Sequence, residues 1–263
     1  MKSHDYQDLK NDILIYAKYN NDKFIKLKDT SLMVIGDIHG DLHSLETIFA
    51  REGELDDKML VIFLGDYGDR GYGQLETWWS IIKFKNAFPN NVVTIRGNHE
   101  PLAWAVPVPH DLPLKFDAVF GQERGNELYE DLFGTFENMA LLAESNGFLF
   151  MHGGLPINIF DPVDELSLDR EAYQFLWNDP ADISGYRLSP RGLGYLFGED
   201  ITINWLRSLK ATYVVRGHEP CEGFKLDHHG RVITIFSRKG HPYYNQNAAY
   251  MKFVDGKMNI ITF

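Results

Sequence analysis

Five short blocks of the 263-residue chain set a glycine beside side chains that can bind a metal or move a proton. They are Gly36-Asp37-Ile38-His39-Gly40, Gly65-Asp66, Gly97-Asn98-His99-Glu100, Met151-His152-Gly153-Gly154 and Val214-Val215-Arg216-Gly217-His218. One Gly-Asp after an apolar run is an ordinary turn. One His in such a place is more often hydrogen-bonded than metallated. Five repetitions change the weighing, because turn chemistry has no need of Asp, His or Asn beside the glycine each time.

Asp37, His39, Asp66, Asn98, His152 and His218 offer six nitrogen or oxygen ligands, more than one tetrahedral site uses. The set suits two divalent cations, and one carboxylate can bridge them through its two oxygens. Two cations about 3.5–4 Å apart hold a water between them, lower its pKa toward roughly 7, and clamp both oxygens of a phosphoryl displacement. The set contains no thiolate. Ligand softness therefore points to Mn, Fe, Zn or Co rather than Cu(I) or an iron–sulfur cluster, and does not choose among the four.

These residues meet only if the segments before them are neighbouring strands. Residues 32–35, 59–64 and 92–95 are apolar runs of strand length, separated by helical spacing over 42–50 and 75–87. This β-α-β-α-β rhythm predicts a parallel sheet covered by helices, whose ligands collect beyond the carboxyl ends of the strands. The middle, 122–136, reads as a helix and 148–151 as a further strand. The second half is richer in strand signals, at 213–215, 232–236, 249–254 and 258–263, the last two flanking the hairpin pair Asp255-Gly256. The expected class is α/β, a two-sheet sandwich flanked by helices. No linker, repeat or biased tract divides residues 1–263, so one domain is expected.

Composition removes several function classes. Lys plus Arg total 26 against 37 Asp plus Glu, a net charge of −11, which suits neither sequence-independent nucleic-acid binding nor an anionic membrane surface. An anionic substrate stays open, because bound cations reverse the field in one cleft. The first 29 residues carry charges throughout and no apolar targeting core. No apolar run approaches the roughly 20 residues that a membrane helix needs. A soluble, cytoplasmic protein without nucleic-acid or membrane partners is expected. The single cysteine, Cys221, excludes an internal disulfide; a Cys-x5-Arg phosphatase is also excluded, because position 227 is Asp.

At these residues the chain resembles the phosphoprotein phosphatases, the metal-dependent Ser/Thr phosphatases among the calcineurin-like metallophosphoesterases. The blocks are extended by Tyr67-Gly68-Asp69-Arg70-Gly71, by Arg96 before Gly97 and by Leu155 after Gly154. Trp177-Asn178-Asp179-Pro180 and the stretch from Pro190-Arg191 to Gly198 are also similar to family segments. The likeness runs in family order from about residue 31 to residue 236. It implies a four-layer α/β/β/α metallophosphoesterase fold. It also implies that Asp37 and His39 bind one metal, that Asn98, His152 and His218 bind the other, and that Asp66 bridges both. His99 would be the general acid, oriented by Asp69. Arg70 and Arg191 would grip the phosphate, with Asn98 also facing substrate.

The implied reaction is hydrolysis of a phosphorylated protein or peptide by direct attack of a metal-bridging hydroxide, without a phosphoenzyme. Manganese is the expected metal, with Fe, Zn or Co as alternatives. Physical chemistry supports the roles. An alkoxide leaving group gains from a histidine donor, the donor needs a carboxylate to fix its tautomer, and arginine grips phosphate with a planar fork.

Two rivals remain. One is a hydrolase acting on symmetrical dinucleoside tetraphosphates, a group that usually lacks the Asp-x-His pair seen at Asp37 and His39. The other is a non-catalytic phosphate-binding protein on the same fold. The sequence also departs from the family. Gly68 stands where an apolar residue is usual, which predicts a looser turn. Residues 238–245 replace the usual segment carrying a tyrosine over the groove; Tyr243 or Tyr244 could replace that ring, and Arg238 or His241 could face substrate. Arg96 and Arg216 are read as structural, paired with carboxylates such as Glu100. His110, His228 and His229 are read as surface residues, 106–113 as a rigid loop, and Trp78-Trp79 as mostly core.

Overall fold

The computed structural model describes residues 3–19, 22–28, 30–53, 58–158 and 165–263. The first half runs α1 (Ser3–Tyr16), β1 (Phe24–Lys26), β2 (Leu32–Ile35), α2 (Leu42–Glu52), β3 (Leu60–Phe63), α3 (Gln74–Ala87), β4 (Val92–Thr94), α4 (Leu112–Phe120) and α5 (Gln122–Phe136). The second half runs β5 (Leu142–Ser145), β6 (Phe148–Phe150), α6 (Glu165–Arg170), α7 (Ala172–Trp177), β7 (Asp179–Pro180), β8 (Tyr186–Leu188), β9 (Tyr195–Phe197), α8 (Glu199–Ser208), β10 (Tyr213–Arg216), β11 (Phe224–Asp227), β12 (Val232–Ile235), β13 (Ala249–Val254) and β14 (Lys257–Thr262).

Two sheets carry the molecule. One has the order β14-β13-β2-β3-β4, with β2, β3 and β4 parallel. The other has the order β1-β5-β6-β10-β12-β11, with β6, β10 and β12 parallel. Period-two alternation explains how they stack. In β2 and β3, Leu32, Val34, Leu60 and Ile62 point to a core shared with Phe150, Val215 and Ile233 of the other sheet. Met33, Ile35, Val61 and Phe63 point the opposite way, onto α1 to α5 through Ile13, Ile48, Trp78, Phe116 and Leu132. The second sheet turns Leu149, Val214 and Val232 outward onto Phe175, Ile201 and Trp205 of α7 and α8. Three apolar cores thus separate four layers, helices, sheet, sheet and helices. The central strands β2, β3, β4, β6 and β12 are buried on both faces, so their sequences are nearly continuous apolar runs.

Register then places the site. Ile35 pairs with Phe63, and Phe63 with Thr94, so the blocks after β2, β3 and β4 leave one edge together. Val215 pairs with Phe150, which brings the block holding His152 beside the block holding His218. A parallel bridge from Asp37 to Phe236 and a 2.8 Å bond from the Gly36 amide to Ser237 Oγ tie the two edges to each other.

The elements expected from sequence are present, but α1, β1, α4, β5, α6, α7, β7, β8, β9, α8 and β11 were not among them. The loop after the third block ends earlier than 113, because Leu112 opens α4 with Pro113 in its first turn, where a missing amide is harmless. A small third sheet, β7-β9-β8, has strands of two or three residues and an exposed β8, so no apolar run announced it.

Candidate metal centre

The six candidate ligands converge. Asp66 is the hub: its Oδ2 lies 3.3 Å from His39 Nε2 and its Oδ1 lies 3.3 Å from His152 Nε2. Asn98 Oδ1 is 2.9 Å from both His152 Nε2 and His218 Nδ1. Asp37 Oδ2 is 3.9 Å from His39 Nε2. Its two oxygens also accept the His218 amide at 2.9 and 3.1 Å. Close backbone approach makes this possible. A Cβ on Gly97 would sit 2.3 Å from Asp66 Oδ1, and one on Gly217 would sit 2.2 Å from Asp37 Oδ1.

Tautomers follow from the hydrogen bonds. His39 Nδ1 is 2.9 Å from the Gly68 carbonyl and His152 Nδ1 is 2.9 Å from the Leu64 carbonyl. A carbonyl only accepts, so each Nδ1 carries the proton and each Nε2 turns a lone pair inward. His218 Nε2 is buried without a hydrogen-bond partner. Lone pairs and carboxylate oxygens therefore face each other with an orphaned nitrogen among them. This donor set fits divalent cations. Asp66 belongs to two of the three clusters of potential ligands among the described residues, Asp66-His152-His218 and His39-Asp66-His99.

The electrostatics agree. Burial raises the Asp37 carboxyl from 3.8 to about 7. Burial, followed by the charges of Asp37 and Glu100, pushes Asp66 well above the usual carboxylate range. Burial holds His39, His152 and His218 well below the imidazole range, hence neutral. A carboxyl whose folded pKa exceeds its unfolded value stabilises the fold while it keeps its proton, and that contribution fades as pH rises through the folded value. The metal-free protein therefore loses this contribution from about pH 4 up to the folded pKa of Asp37. A bound cation displaces those protons, so its stabilising effect grows with pH. The rise in Tm on adding Mn²⁺ should be larger at about pH 8 than at about pH 6, measured by scanning fluorimetry. Equal rises would mean that the carboxylates are already ionised without metal.

Beside the ligands lies a cleft of about 380 Å³ lined by His39, Asp66, Arg70, Asn98, His99, Val106–Val108, Trp177, Arg191, His218, Pro220 and Tyr243. His99 Nδ1 meets Asp69 Oδ2 at 2.5 Å, and its Nε2 lies 3.4 Å from Arg70 Nη2. Burial lowers the His99 pKa, while the bond and charge of Asp69 oppose the shift. Against burial, bonds from His110 and His99 keep the Asp69 carboxyl below its ordinary range. Arg191 lines the same cleft, its Nε held 2.6 Å from Asp179 Oδ2. All ten candidate site residues thus lie in or beside one cleft.

Several supporting residues were not legible. Glu100 accepts the backbone amides of Asp66 and Gly97 at 2.8 Å and of Tyr67 at 3.1 Å, so one buried carboxylate locks the second and third blocks to each other. Arg96 is structural as expected, but it donates to the carbonyls of Glu100 and Pro101, not to a carboxylate. Arg216, fully buried, pairs with Asp179 and Glu219. The turn at Gly68 is not loose: a Cβ there would meet Trp78 Nε1 at 3.0 Å, so the Trp78 indole occupies the space an apolar side chain would fill. Tyr243, not Tyr244, takes the aromatic place, stacked 5.6 Å from His39, whereas Tyr244 is 76% exposed. Arg238 turns inward and donates to the His39 carbonyl. Two of the three discounted histidines are not surface residues. His228 is buried against Thr202 and the Ala181 carbonyl, and His110 joins Asp69. His229 alone of the three is exposed, against Glu199. No local pattern marks His110, because its partners lie 41 and 19 residues away.

Comparison with known proteins gives concordant matches. The family model for calcineurin-like phosphoesterases matches residues 30–222. The serine/threonine-protein phosphatase 4 catalytic subunit of Kluyveromyces lactis is 31% identical over 248 residues, covering 90% of this chain and 79% of that protein. The corresponding subunit of Saccharomyces cerevisiae is 31% identical over 241 residues, covering 88% and 76%. Among solved structures, a protein serine/threonine phosphatase from Saccharomyces cerevisiae with similarity to human phosphatase PP5 superposes with a TM-score of 0.82 at 24% identity. That match covers 98% of this chain and 89% of that one, and it shows a common fold.

Proposed function

The chain belongs to the calcineurin-like phosphoesterases and, within them, to the serine/threonine protein phosphatases, and from this premise we propose that residues 1–263 form one catalytic domain that hydrolyses phosphoserine and phosphothreonine in protein substrates. The observation that carries the reading is the bifacial Asp66 carboxylate, one oxygen toward His39 and the other toward His152, beside a cleft that also holds His99 and two arginines. Among the described residues no helix is long and apolar enough to cross a membrane, and we place the enzyme in the cytoplasm.

Two divalent cations, manganese in our reading, held by Asp37, His39, Asp66, Asn98, His152 and His218 would polarise a water and neutralise phosphate charge. The chain's own residues do the rest. Arg70 and Arg191, which both line the cleft, would grip the phosphate oxygens as planar forks. Asn98 faces the same oxygens. His99, with Nδ1 on Asp69, offers Nε2 to the departing serine or threonine oxygen and transfers a proton there. In the structure burial favours the neutral ring, and a phosphate dianion between the arginines shifts it toward the protonated donor by opposite charge. Tyr243 and Val106–Val108 border the space for the rest of the peptide.

The direct test supplies a phosphoserine peptide and diadenosine tetraphosphate in parallel, before and after chelation. Phosphate release from the peptide that stops with chelator and returns with Mn²⁺ is expected. Product from the tetraphosphate alone would reassign the substrate. Silence on both substrates with metal present would leave a phosphate-binding protein.

A further inference from the structure

Asp69 carries two imidazoles, and only one of them lines the cleft. His99 Nδ1 reaches Asp69 Oδ2 at 2.5 Å, and His110 Nδ1 reaches the same oxygen at 2.7 Å. The other oxygen, Oδ1, accepts the backbone amides of Asp111 at 2.9 Å and Leu112 at 2.8 Å. Behind His110, its Nε2 lies 2.7 Å from the hydroxyl of Tyr129 on α5. Burial raises the Tyr129 phenol pKa, so it keeps its proton. That proton makes Nε2 the acceptor and leaves Nδ1–H to donate to Asp69. The order of donation is Tyr129 to His110 to Asp69, with His99 donating to the same carboxylate oxygen from the cleft side.

We propose that His110 is a positioning residue for His99: by occupying one side of Asp69 Oδ2 it leaves one direction for the His99 Nδ1–H and so fixes the pitch of the proton-donating ring. The inference rests on the reading of His99 as the proton donor. A carboxylate oxygen has two in-plane lone pairs, and Oδ1 is already pinned by two amides, so Asp69 cannot rotate to compensate for a lost partner. Without His110, the vacated lone pair offers a second place for the His99 N–H or for a water, and the ring's Nε2 loses its fixed aim into the cleft. A metal ion within Asp69, His99 and His110 is disfavoured by the same distances. Contacts of 2.5 and 2.7 Å are hydrogen bonds, and an ion would need room for bonds of about 2 Å to each ligand.

The test compares kcat and KM of the Mn²⁺-loaded protein on a phosphoserine peptide and on 4-nitrophenyl phosphate, whose leaving group needs little protonation. His110→Ala should lower kcat on the peptide about tenfold, the lower end for lost outer-shell partners, with a smaller loss on the aryl ester and KM within about twofold. His110→Asn, whose amide nitrogen replaces Nδ1, should recover most of the loss. Tyr129→Phe should shift the two substrates in the same sense as His110→Ala. A global weakening would instead lower both substrates equally. Equal losses in His110→Ala, while His99→Ala still separates the substrates, would overturn the inference and leave the proton-donor reading intact. No separation in His99→Ala would remove both. Should His110→Ala fail to fold, Tyr129→Phe decides, because it keeps the ring and the packing; equal losses there would overturn the inference.

Discussion

Replacing Asp66 with Asn is expected to cost the centre at least one of its two cations and lower turnover by roughly a thousandfold or more, since removing several kcal/mol of charge stabilisation costs a factor of ten per ~1.4 kcal/mol. Asp66 sets its two oxygens toward histidine rings from both sheets, His39 after β2 and His152 after β6. An amide offers one weak oxygen and one NH₂, so it can serve one cation and repels the other. The fold should survive. The Asn oxygen can still accept the His99 amide, now 2.9 Å from Asp66 Oδ1. Its NH₂ can donate to His39 Nε2, a lone pair turned inward. A buried carboxyl is also removed beside Asp37 and Glu100, whose charges push Asp66 upward. The variant should therefore melt at or above the metal-free parent while binding less metal. Elemental analysis beside kcat checks this, and a full metal complement with activity within about tenfold would remove Asp66 from its bridging role.

The stability expected to be kept or gained on losing a candidate ligand bears on why the site was legible at all. Buried carboxylates and neutral imidazoles next to glycines oppose folding, so their repetition has no account in turn chemistry alone. The frame was legible for a related reason. Strands β2, β3, β6 and β10 are covered on both faces, so each is a short apolar run that stops at its block. What escaped the sequence depends on distant pairs. The Trp78 indole fills the space beside Gly68 because α3 packs over that turn, and nothing within a few residues of Gly68 says so. The choice of Tyr243 over Tyr244 is set by the path of residues 238–245 across His39. Glu100 was visible as part of a block, but its three backbone partners belong to two different turns. His110 sits between prolines and an aspartate in a segment that reads as a loop; its meaning comes from Asp69 on one side and Tyr129 on the other.

Replacing His99 with Ala is the second large effect, and its value lies in which substrate suffers. General acid catalysis by a positioned side chain is worth about 10²- to 10⁴-fold. That factor should be lost on phosphoserine peptides, where the leaving alkoxide is a strong base. On 4-nitrophenyl phosphate the leaving phenolate is weakly basic and the loss should be at least about tenfold smaller, reflecting lower demand for a proton in the transition state. The site is built so that the variant reports chemistry, not collapse. Asp69 keeps His110 and the amides of Asp111 and Leu112, so its charge stays satisfied when His99 goes. Arg70 loses only a 3.4 Å contact to Nε2 and stays in the cleft. KM for the peptide should therefore move little while kcat falls. The Ala variant also opens a space lined by the Asp69 carboxylate, into which free imidazole can diffuse. Added imidazole should restore peptide turnover more than aryl turnover, because only the former is limited by the missing proton. Equal losses on both substrates, with no response to imidazole, would remove His99 as the proton donor and would leave the leaving group to be protonated by solvent.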